Sequence, residues 1–146
     1  MAATIADILA AKGSEVVTVT ATAATREVVS LLAARGIGAV IVVNDADTPV
    51  GIAAERDIIH AVADDGAAAL DQPISRVMHT ELPSCTPLTQ VDEVAALMTE
   101  GRHRHVPVVV DGALLGIVSV GDVVRARLDH LTDTAEQLQA YVAGSY

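Results

Sequence analysis

Two aspartates in repeated surroundings are the residues of this chain best suited to chemistry. Asp57 and Asp122 each stand six residues after a glycine, in GIAAERD (51–57) and in GIVSVGD (116–122). A carboxylate placed where a strand gives way to a helix accepts hydrogen bonds, either from the helix backbone as a cap or from a bound molecule. Ser119 adds a hydroxyl to the second copy, whereas Ala54 holds the same place in the first.

A basic cluster is the second candidate. In GRHRHVP (101–107), four consecutive side chains can be cationic or donate hydrogen bonds. On a chain with a formal net charge of −10, this cluster is the obvious supply of positive charge for a phosphate, and a solvated loop is the alternative. His103 and His105 also form a His-x-His pair. No nearby cysteine completes a set of ligands and the other three histidines lie at unrelated places, so we expect no metal site.

Motifs of common enzyme active sites are missing from the sequence. It has no Gly-x-Ser-x-Gly elbow, no Walker loop and no His-Glu-x-x-His set, so we expect a binding module and no enzyme. An enzyme that uses the basic cluster on a phosphorylated substrate is an alternative hypothesis, and steady turnover of such a substrate would support it. Cys85, the single cysteine, has no motif around it and is expected to be core packing, which fits a reducing compartment.

Composition and charge limit the remaining classes. The 146 residues suffice for one domain, and 51% are hydrophobic although Phe and Trp are absent. The acidic charge repels phosphate backbones, so no nucleic-acid partner is expected. The longest apolar runs fall far short of the roughly 20 residues of a membrane span, and the N-terminus has no signal-peptide pattern. These features predict a cytoplasmic globular protein that does not associate with a membrane.

The chain repeats itself at an offset of about 66 residues. Each half has the order β-α-β-β-α. A β-branched run (16–20 and 82–86) precedes an amphipathic helix, whose end is marked by Gly36 or Gly101. Two short strands follow, 40–43 with 50–53 and 106–110 with 114–118, and Asp111-Gly112 is a hairpin signal between the second two. A helix then opens near each motif aspartate.

The organisation follows from this order. We predict a mixed α/β fold of the α+β type, with repeats at 1–66 and 67–130 and a helical tail at 131–146. Upstream, the helical pattern of Ile5, Ile8 and Leu9 returns in Ile74, Val77 and Met78. The tail helix has sparse apolar positions that favour a dimer or partner surface, or packing on its own domain.

The residues Ile37–Val43 with Gly51–Asp57, and His105–Val109 with Gly116–Asp122, carry a family resemblance. In this order they resemble a pair of CBS domains, the tandem often called a Bateman module, over nearly all of the chain. The resemblance implies two halves packed about a pseudo-twofold axis, with their sheets back to back and two clefts between them. It also implies a regulatory role and the pairing of modules into a disc-shaped homodimer.

The same resemblance implies the ligand. Clefts of this family bind adenosine nucleotides or related adenosyl compounds, here AMP, ADP or ATP, with NAD and S-adenosylmethionine as further candidates, and no other cofactor is required. The motif aspartate accepts hydrogen bonds from both ribose hydroxyls, which suits a group whose oxygens are acceptors only. The serine or threonine of the motif helps to hold ribose or phosphate.

Carried over residue by residue, the resemblance gives two unequal sites. The better-equipped site combines Thr20, Thr25, Ile37, Gly38, Ala39, Ser119 and Asp122. The weaker site combines Asp57, Thr86, Arg104 and His105. The weaker site lacks the motif hydroxyl, because Ala54 stands in its place, at a cost of about 0.5–1.5 kcal/mol. Arg104 and His105 would meet the phosphate, and Arg56 and Arg125 are additional candidates.

Simpler interpretations remain. Asp57 and Asp122 could act only as helix caps, and Ser119 could merely fill the end of a strand. The whole module would then be a ligand-free structural or interaction dimer that modulates a partner protein. Nucleotide binding separates this hypothesis from the sensor hypothesis, and the sequence identifies no regulated partner.

Overall fold

The computed structural model describes residues 3–144 and places in that range five α-helices, five β-strands and two short 3-10 helices. The elements are α1 (Ile5–Lys12), β1 (Thr18–Thr20), α2 (Thr25–Arg35), β2 (Ala39–Val43), β3 (Pro49–Ala54), α3 (Glu55–Asp65), the 3-10 helices Gly66–Asp71 and Ile74–Arg76, α4 (Val91–Gly101), β4 (His105–Val110), β5 (Ala113–Ser119) and α5 (Val120–Gly144). This order confirms the predicted mixed α/β fold with two repeats. The outer ends of the predicted units, residues 1–2 and 145–146, lie outside the described residues.

Each repeat is built on an antiparallel hairpin. Strand β1 adds to β2 in parallel to give the order β1-β2-β3, and β4 pairs with β5. In the second repeat the predicted strand at 82–86 shrinks to a single parallel bridge between Cys85 and Val108. Pro83 and Pro87 flank this bridge, and because proline has no N–H, the ladder cannot extend past them as it does in β1.

The second hairpin has the turn that its sequence predicts. Asp111 (φ 51°) and Gly112 (φ 80°) both adopt positive φ, as a tight two-residue turn between twisted strands requires. The first hairpin uses a longer turn, in which the Asn44 side chain accepts the backbone N–H groups of Ala46 (2.9 Å) and Thr48 (3.0 Å). Both turns leave β3 and β5 pointing back toward the helices that carry the motif aspartates.

The two halves exchange the helical segments that precede them. Ile5 and Ile8 of α1 are buried in one cluster with Val94 of the second repeat. Ile74 and Val77, which follow the 3-10 helix Gly66–Asp71, are buried in another cluster with Val28 and other residues of the first repeat. Each sheet is therefore covered by a segment that precedes the other repeat in sequence, so neither half completes its core alone.

The repeated glycines have a packing reason. A Cβ atom at Gly116 would lie 2.8 Å from a methyl group of Leu9, and one at Gly51 would collide with the sulfur of Met78. Leu9 and Met78 are equivalent positions of the exchanged segments. Any side chain at either glycine would force the side chain of Leu9 or Met78 to move.

The helices α2 and α4 end differently. Gly36 adopts the left-handed conformation just after α2, which confirms the predicted end. Gly101 is the last residue of α4, which confirms the predicted end, and Arg102 takes the left-handed conformation that follows it (φ 57°). Gly101 is constrained by the ring of His103, whose Cδ2 would lie 2.5 Å from an added Cβ.

Two further features complete the fold. Cys85 is 5% exposed, and burial raises its pKa to about 11, which confirms it as core packing. Helix α5 runs without a break across the predicted boundary at residue 130, and every residue described from Arg127 onward is exposed. Within residues 3–144, no helix combines the length and apolar character needed to cross a bilayer.

Candidate functional site

The two motif aspartates occupy the same backbone frame. Oδ2 of Asp57 accepts the N–H of Ala54 at 2.8 Å, and Oδ2 of Asp122 accepts the N–H of Ser119 at 2.8 Å. Both carboxylates therefore cap the helix that they open. Oδ1 of each receives no hydrogen bond from the described residues, so capping leaves one oxygen of each carboxylate for a bound molecule.

Asp57 lies in a cavity between the repeats, which we call the Asp57 cleft. The cavity has a volume of about 230 Å³. Besides Asp57, its polar lining includes Arg56, His79, Arg102, Arg104 and His105. The cleft thus joins an acceptor carboxylate from the first repeat to the basic cluster of the second. Three of the four residues predicted for this site, Asp57, Arg104 and His105, are brought together here.

His79 is a residue of the Asp57 cleft that the sequence analysis missed. Its Nδ1 lies 2.8 Å from Oδ2 of Asp57, and the two side chains are 35% and 19% exposed. The backbone of His79 exchanges two hydrogen bonds of 3.0 Å with Ile52 of β3, which fixes the ring next to the carboxylate. No motif marked this histidine, since it reaches Asp57 only through the exchange of segments.

Asp122 has a different cation beside it, and we call its surroundings the Asp122 site. Nζ of Lys12 donates to Oδ2 of Asp122 at 2.6 Å and to the carbonyl of Ile117 at 2.8 Å. The Asp122 side chain is 11% exposed and that of Lys12 is 29% exposed. Burial alone raises the pKa of Asp122, but the hydrogen bonds from Lys12 and from the Ser119 amide outweigh it and hold that pKa below its ordinary value. The sequence analysis did not identify Lys12.

His105 links the two sites. It lines the Asp57 cleft, pairs in register with Ser119 across β4 and β5, and its Nε2 would lie 3.5 Å from a Cβ added to Gly38. Burial and the positive charge of Arg104 lower the pKa of His105, and Lys12 adds to this effect, while Asp122 and Glu55 oppose it. These surroundings disfavour the protonated imidazole. Gly38 and the Ser119–Asp122 motif, both predicted for the better-equipped site, meet around this ring.

The remaining predicted residues are dispersed. Thr25 is fully buried, and its hydroxyl donates to the carbonyl of Gln72 at 2.9 Å, so its hydroxyl serves the fold. Thr20 and Thr86 are exposed at the ends of equivalent segments, and neither lines the Asp57 cleft. Ile37 and Gly38 line a groove between α2 and α3, and neither Ser119 nor Asp122 lines it. Ala39 is 8% exposed within β2.

The other polar candidates have identifiable surroundings. The hydroxyl of Ser119 accepts the N–H of Asp122 at 3.2 Å, which completes the reciprocal cap that Ala54 cannot form. Arg56 lines the Asp57 cleft, and Arg125 lines a separate groove of about 670 Å³ between α1 and α5 that includes Lys12 and Asp122. Among residues 3–144, no three histidine, cysteine or acidic side chains are grouped as a metal site would require.

Comparisons with known proteins agree with this architecture. The family model described as CBS domain matches residues 5–64 and 74–129. The CBS domain-containing protein CBSX3, mitochondrial, of Arabidopsis thaliana is 33% identical over 124 residues, which is 82% of this chain and 60% of that protein. The chain therefore spans less than two thirds of the length of this relative.

Solved structures give the same result. The crystal structure of the CBS-domain containing protein ATU1752 from Agrobacterium tumefaciens has 43% sequence identity and a TM-score of 0.84, covering 87% of this chain and 95% of that one. The CBS domain pair of protein MJ0100, solved in complex with 5-methylthioadenosine and S-adenosyl-L-methionine, has 25% identity and a TM-score of 0.76, covering 86% and 95%. With both repeats matched in sequence and in structure, this chain belongs to the CBS-domain family and forms a tandem pair of CBS domains.

Proposed function

We propose that this module binds an adenosine nucleotide or a related adenosyl compound between its repeats and acts as a regulatory sensor. The observation that carries the proposal is the Asp57 cleft, where a carboxylate at a helix start faces two arginines and a histidine across one cavity. A nucleotide offers the complementary groups, because its ribose has two hydroxyl donors and its phosphate has anionic acceptors. The solved complex of the MJ0100 domain pair with two adenosyl compounds supports this ligand class.

In the Asp57 cleft the ribose and the phosphate would meet different repeats. The unoccupied Oδ1 of Asp57 accepts a ribose hydroxyl, while His79 and the Ala54 amide hold Oδ2 and fix the carboxylate. Arg102 and Arg104 supply charged donors to the phosphate. A ligand held in this way bridges the repeats, so binding stabilises one relative arrangement of the two halves.

The Asp122 site is proposed as a second position of lower affinity. Ser119 is hydrogen-bonded to Asp122, and His105, which lies next to Gly38, pairs with Ser119 across the hairpin. However, Lys12 already binds Oδ2 of Asp122, and a ribose must either use Oδ1 beside this ammonium or displace it. Lys12 could then turn to the phosphate of the ligand.

A regulatory function requires a protein partner. We therefore propose that the module is a cytoplasmic homodimer that regulates a partner protein when it binds the ligand. We propose no catalytic step, because the side chains of the cleft are explained by binding alone. The regulated partner would bind preferentially to the relative arrangement of the repeats that the ligand stabilises.

The test is a dye-monitored thermal melt, which suits a chain with no tryptophan. The ligands are AMP, ADP, ATP, NAD and S-adenosylmethionine, with 2′,3′-dideoxyadenosine 5′-monophosphate as the matched control that lacks the diol. A ligand at 100 times its Kd adds about 2.7 kcal/mol, or roughly 5–10 °C in Tm for a domain of this size.

A shift of this size with one ribonucleotide, lost with the dideoxy control, is the expected result. Flat melts with all five compounds at millimolar concentration would overturn the proposal and favour a ligand-free interaction dimer. Steady conversion of a bound phosphate compound to product would instead restore the enzyme alternative.

A further inference from the structure

The last helix carries an apolar stripe with the spacing of a coiled-coil seam. Its positions are separated by alternating steps of four and three residues, which keeps them on one side of a helix. They are Val124, Leu128, Leu131, Ala135, Leu138 and Val142. The Val and Leu members of the stripe are between 50% and 63% exposed. This seam continues well past the last residue that packs in the core of the second repeat, Val123.

The stripe has no intramolecular explanation. All described residues from Arg127 to Gly144 are exposed. Arg127 pairs with Asp92, and α5 lies beside α1 as far as Asp133, but no side chain of this segment is buried in a core. An exposed helical segment of this length is marginal in water, because nucleation is costly and most helical stability in proteins comes from packing of an apolar face. Five large aliphatic side chains along one exposed face therefore indicate a missing packing partner.

The residues beside the stripe favour an identical copy as that partner. Between Leu128 and Val142, the flanking positions that would face a paired helix include Thr132, Thr134 and Gln139, and none of them is charged. The acidic residues of this segment, Asp129, Asp133 and Glu136, fall on the outer positions of the heptad. Two copies can thus approach without opposing like charges, although each chain has a net charge of −10.

The stripe has few charged flanking residues that could select a different protein as its partner. Two flanking cations, Arg125 and Arg127, lie at the end of the stripe nearest the module, and Arg127 already pairs with Asp92 of its own chain at 3.0 Å. Coiled coils that select different partners use charges at these flanking positions, and between Leu128 and Val142 the seam offers none.

We propose that α5 pairs with α5 of a second copy of this chain through the stripe from Val124 to Val142, and that this seam makes the module a dimer in solution. The seam is separate from the Asp57 cleft. Loss of dimerisation and loss of nucleotide binding are therefore independent outcomes.

The test compares Leu131→Glu/Leu138→Glu with the matched control Gln137→Glu/Ala140→Glu, which adds the same charge at outer heptad positions of the same helix. Light scattering after size exclusion gives the molar mass over a dilution series, and circular dichroism at 222 nm follows helix content in the same samples. The wild-type chain and the control are expected at twice the 15.0 kDa chain mass, with helix content that falls when dilution dissociates the dimer.

The seam variant is expected to dissociate at a concentration at least tenfold higher than the wild type and to lose helical signal, while its nucleotide-induced thermal shift is retained. A wild-type chain that stays monomeric at every concentration would overturn the proposal. So would a seam variant whose mass and helix content match those of the control throughout, because the dimer would then use another face.

Discussion

Asp57 and Asp122 have the same backbone frame but different neighbours, and the difference comes from the exchanged segments. In the first repeat, the carbonyl of Ile52 accepts the backbone N–H of His79, whose ring also contacts Asp57. In the second repeat, the equivalent carbonyl of Ile117 accepts the ammonium of Lys12, which also binds Asp122. One side chain therefore does in the second repeat what a backbone group and an imidazole do together in the first.

This comparison shows which parts of a duplicated fold are constrained. Backbone hydrogen bonds recur at equivalent positions, because Glu55 N–H donates to Gly38 and Val120 N–H donates to Arg104, both at 3.0 Å. The side chains around this shared frame have diverged. Three arginines line the Asp57 cleft and an imidazole contacts its aspartate, whereas a lysine ammonium binds the aspartate of the Asp122 site.

The largest effect is expected from Arg104. Arg104→Gln removes a charged donor from the Asp57 cleft, and a hydrogen bond to a charged group contributes about 1.5–3 kcal/mol, so affinity for AMP should fall at least tenfold. Adenosine, which has no phosphate, should bind the variant and the wild type equally. Arg26→Gln, which breaks only an exposed pair with Asp71, is the control. Isothermal titration checks this, and equal losses for AMP and adenosine would contradict a phosphate role.

Lys12 should matter for stability. Lys12→Gln leaves Asp122 with the Ser119 amide and no cation, and with allowance for the partial exposure of the ammonium we expect a loss of about 1–2 kcal/mol at pH 7. The control Arg35→Gln removes an exposed pair with Glu15 and should cost at most about 0.5 kcal/mol.

The stability difference between the wild type and Lys12→Gln should change with pH in a defined direction. The folded-state pKa of Asp122 is lowered, so its contribution to the free energy of unfolding is present above the ordinary carboxyl pKa of about 4 and disappears as pH falls through the lowered value. The gap between wild type and Lys12→Gln should therefore be wide in urea titrations at pH 7 and should narrow in acid. A constant gap would mean that Lys12 stabilises the fold without acting on Asp122.

Arg102 is expected to lower the stability of the fold and to strengthen nucleotide binding. It adopts the left-handed conformation where the first repeat has Gly36, so Arg102→Gly should stabilise the protein by about 0.5–1 kcal/mol and weaken nucleotide binding. Asp111→Gly is the matched control, since Asp111 is also left-handed but lies outside the Asp57 cleft. Thermal melts with and without AMP measure both effects. An Arg102→Gly variant of unchanged affinity would remove Arg102 from the proposed phosphate site.

The smallest effect concerns His105. Because burial and Arg104 lower its pKa, the unfolded chain binds a proton more readily, and stability should fall as pH drops through the ordinary histidine value near 6.5. His105→Gln should show a shallower loss of stability between pH 7 and pH 5. Urea titrations at the two pH values check this, and an unchanged slope would show that another group causes the acid sensitivity.

The sequence predicted the parts of the site that lie close together along the chain. The repeated glycine–aspartate spacing, the hairpin at Asp111-Gly112 and the basic cluster before β4 are local patterns, and each has the predicted place in the fold. Lys12 and His79 could not be predicted, because each reaches its aspartate only through a segment packed on the other repeat. Thr25 resembled a ligand hydroxyl in the sequence, but a threonine that binds a distant carbonyl in the core has the same local pattern.

Calorimetric titration of Asp57→Asn and Asp122→Asn distinguishes whether the Asp57 cleft or the Asp122 site binds the nucleotide more tightly. Asparagine can keep the cap through its amide oxygen while losing the carboxylate charge. With the ligand identified in the thermal melts, the account predicts that Asp57→Asn abolishes the tighter binding event and that Asp122→Asn preserves it. Loss of the tighter event in Asp122→Asn, with Asp57→Asn unaffected, would contradict the account and make the Asp122 site the principal one.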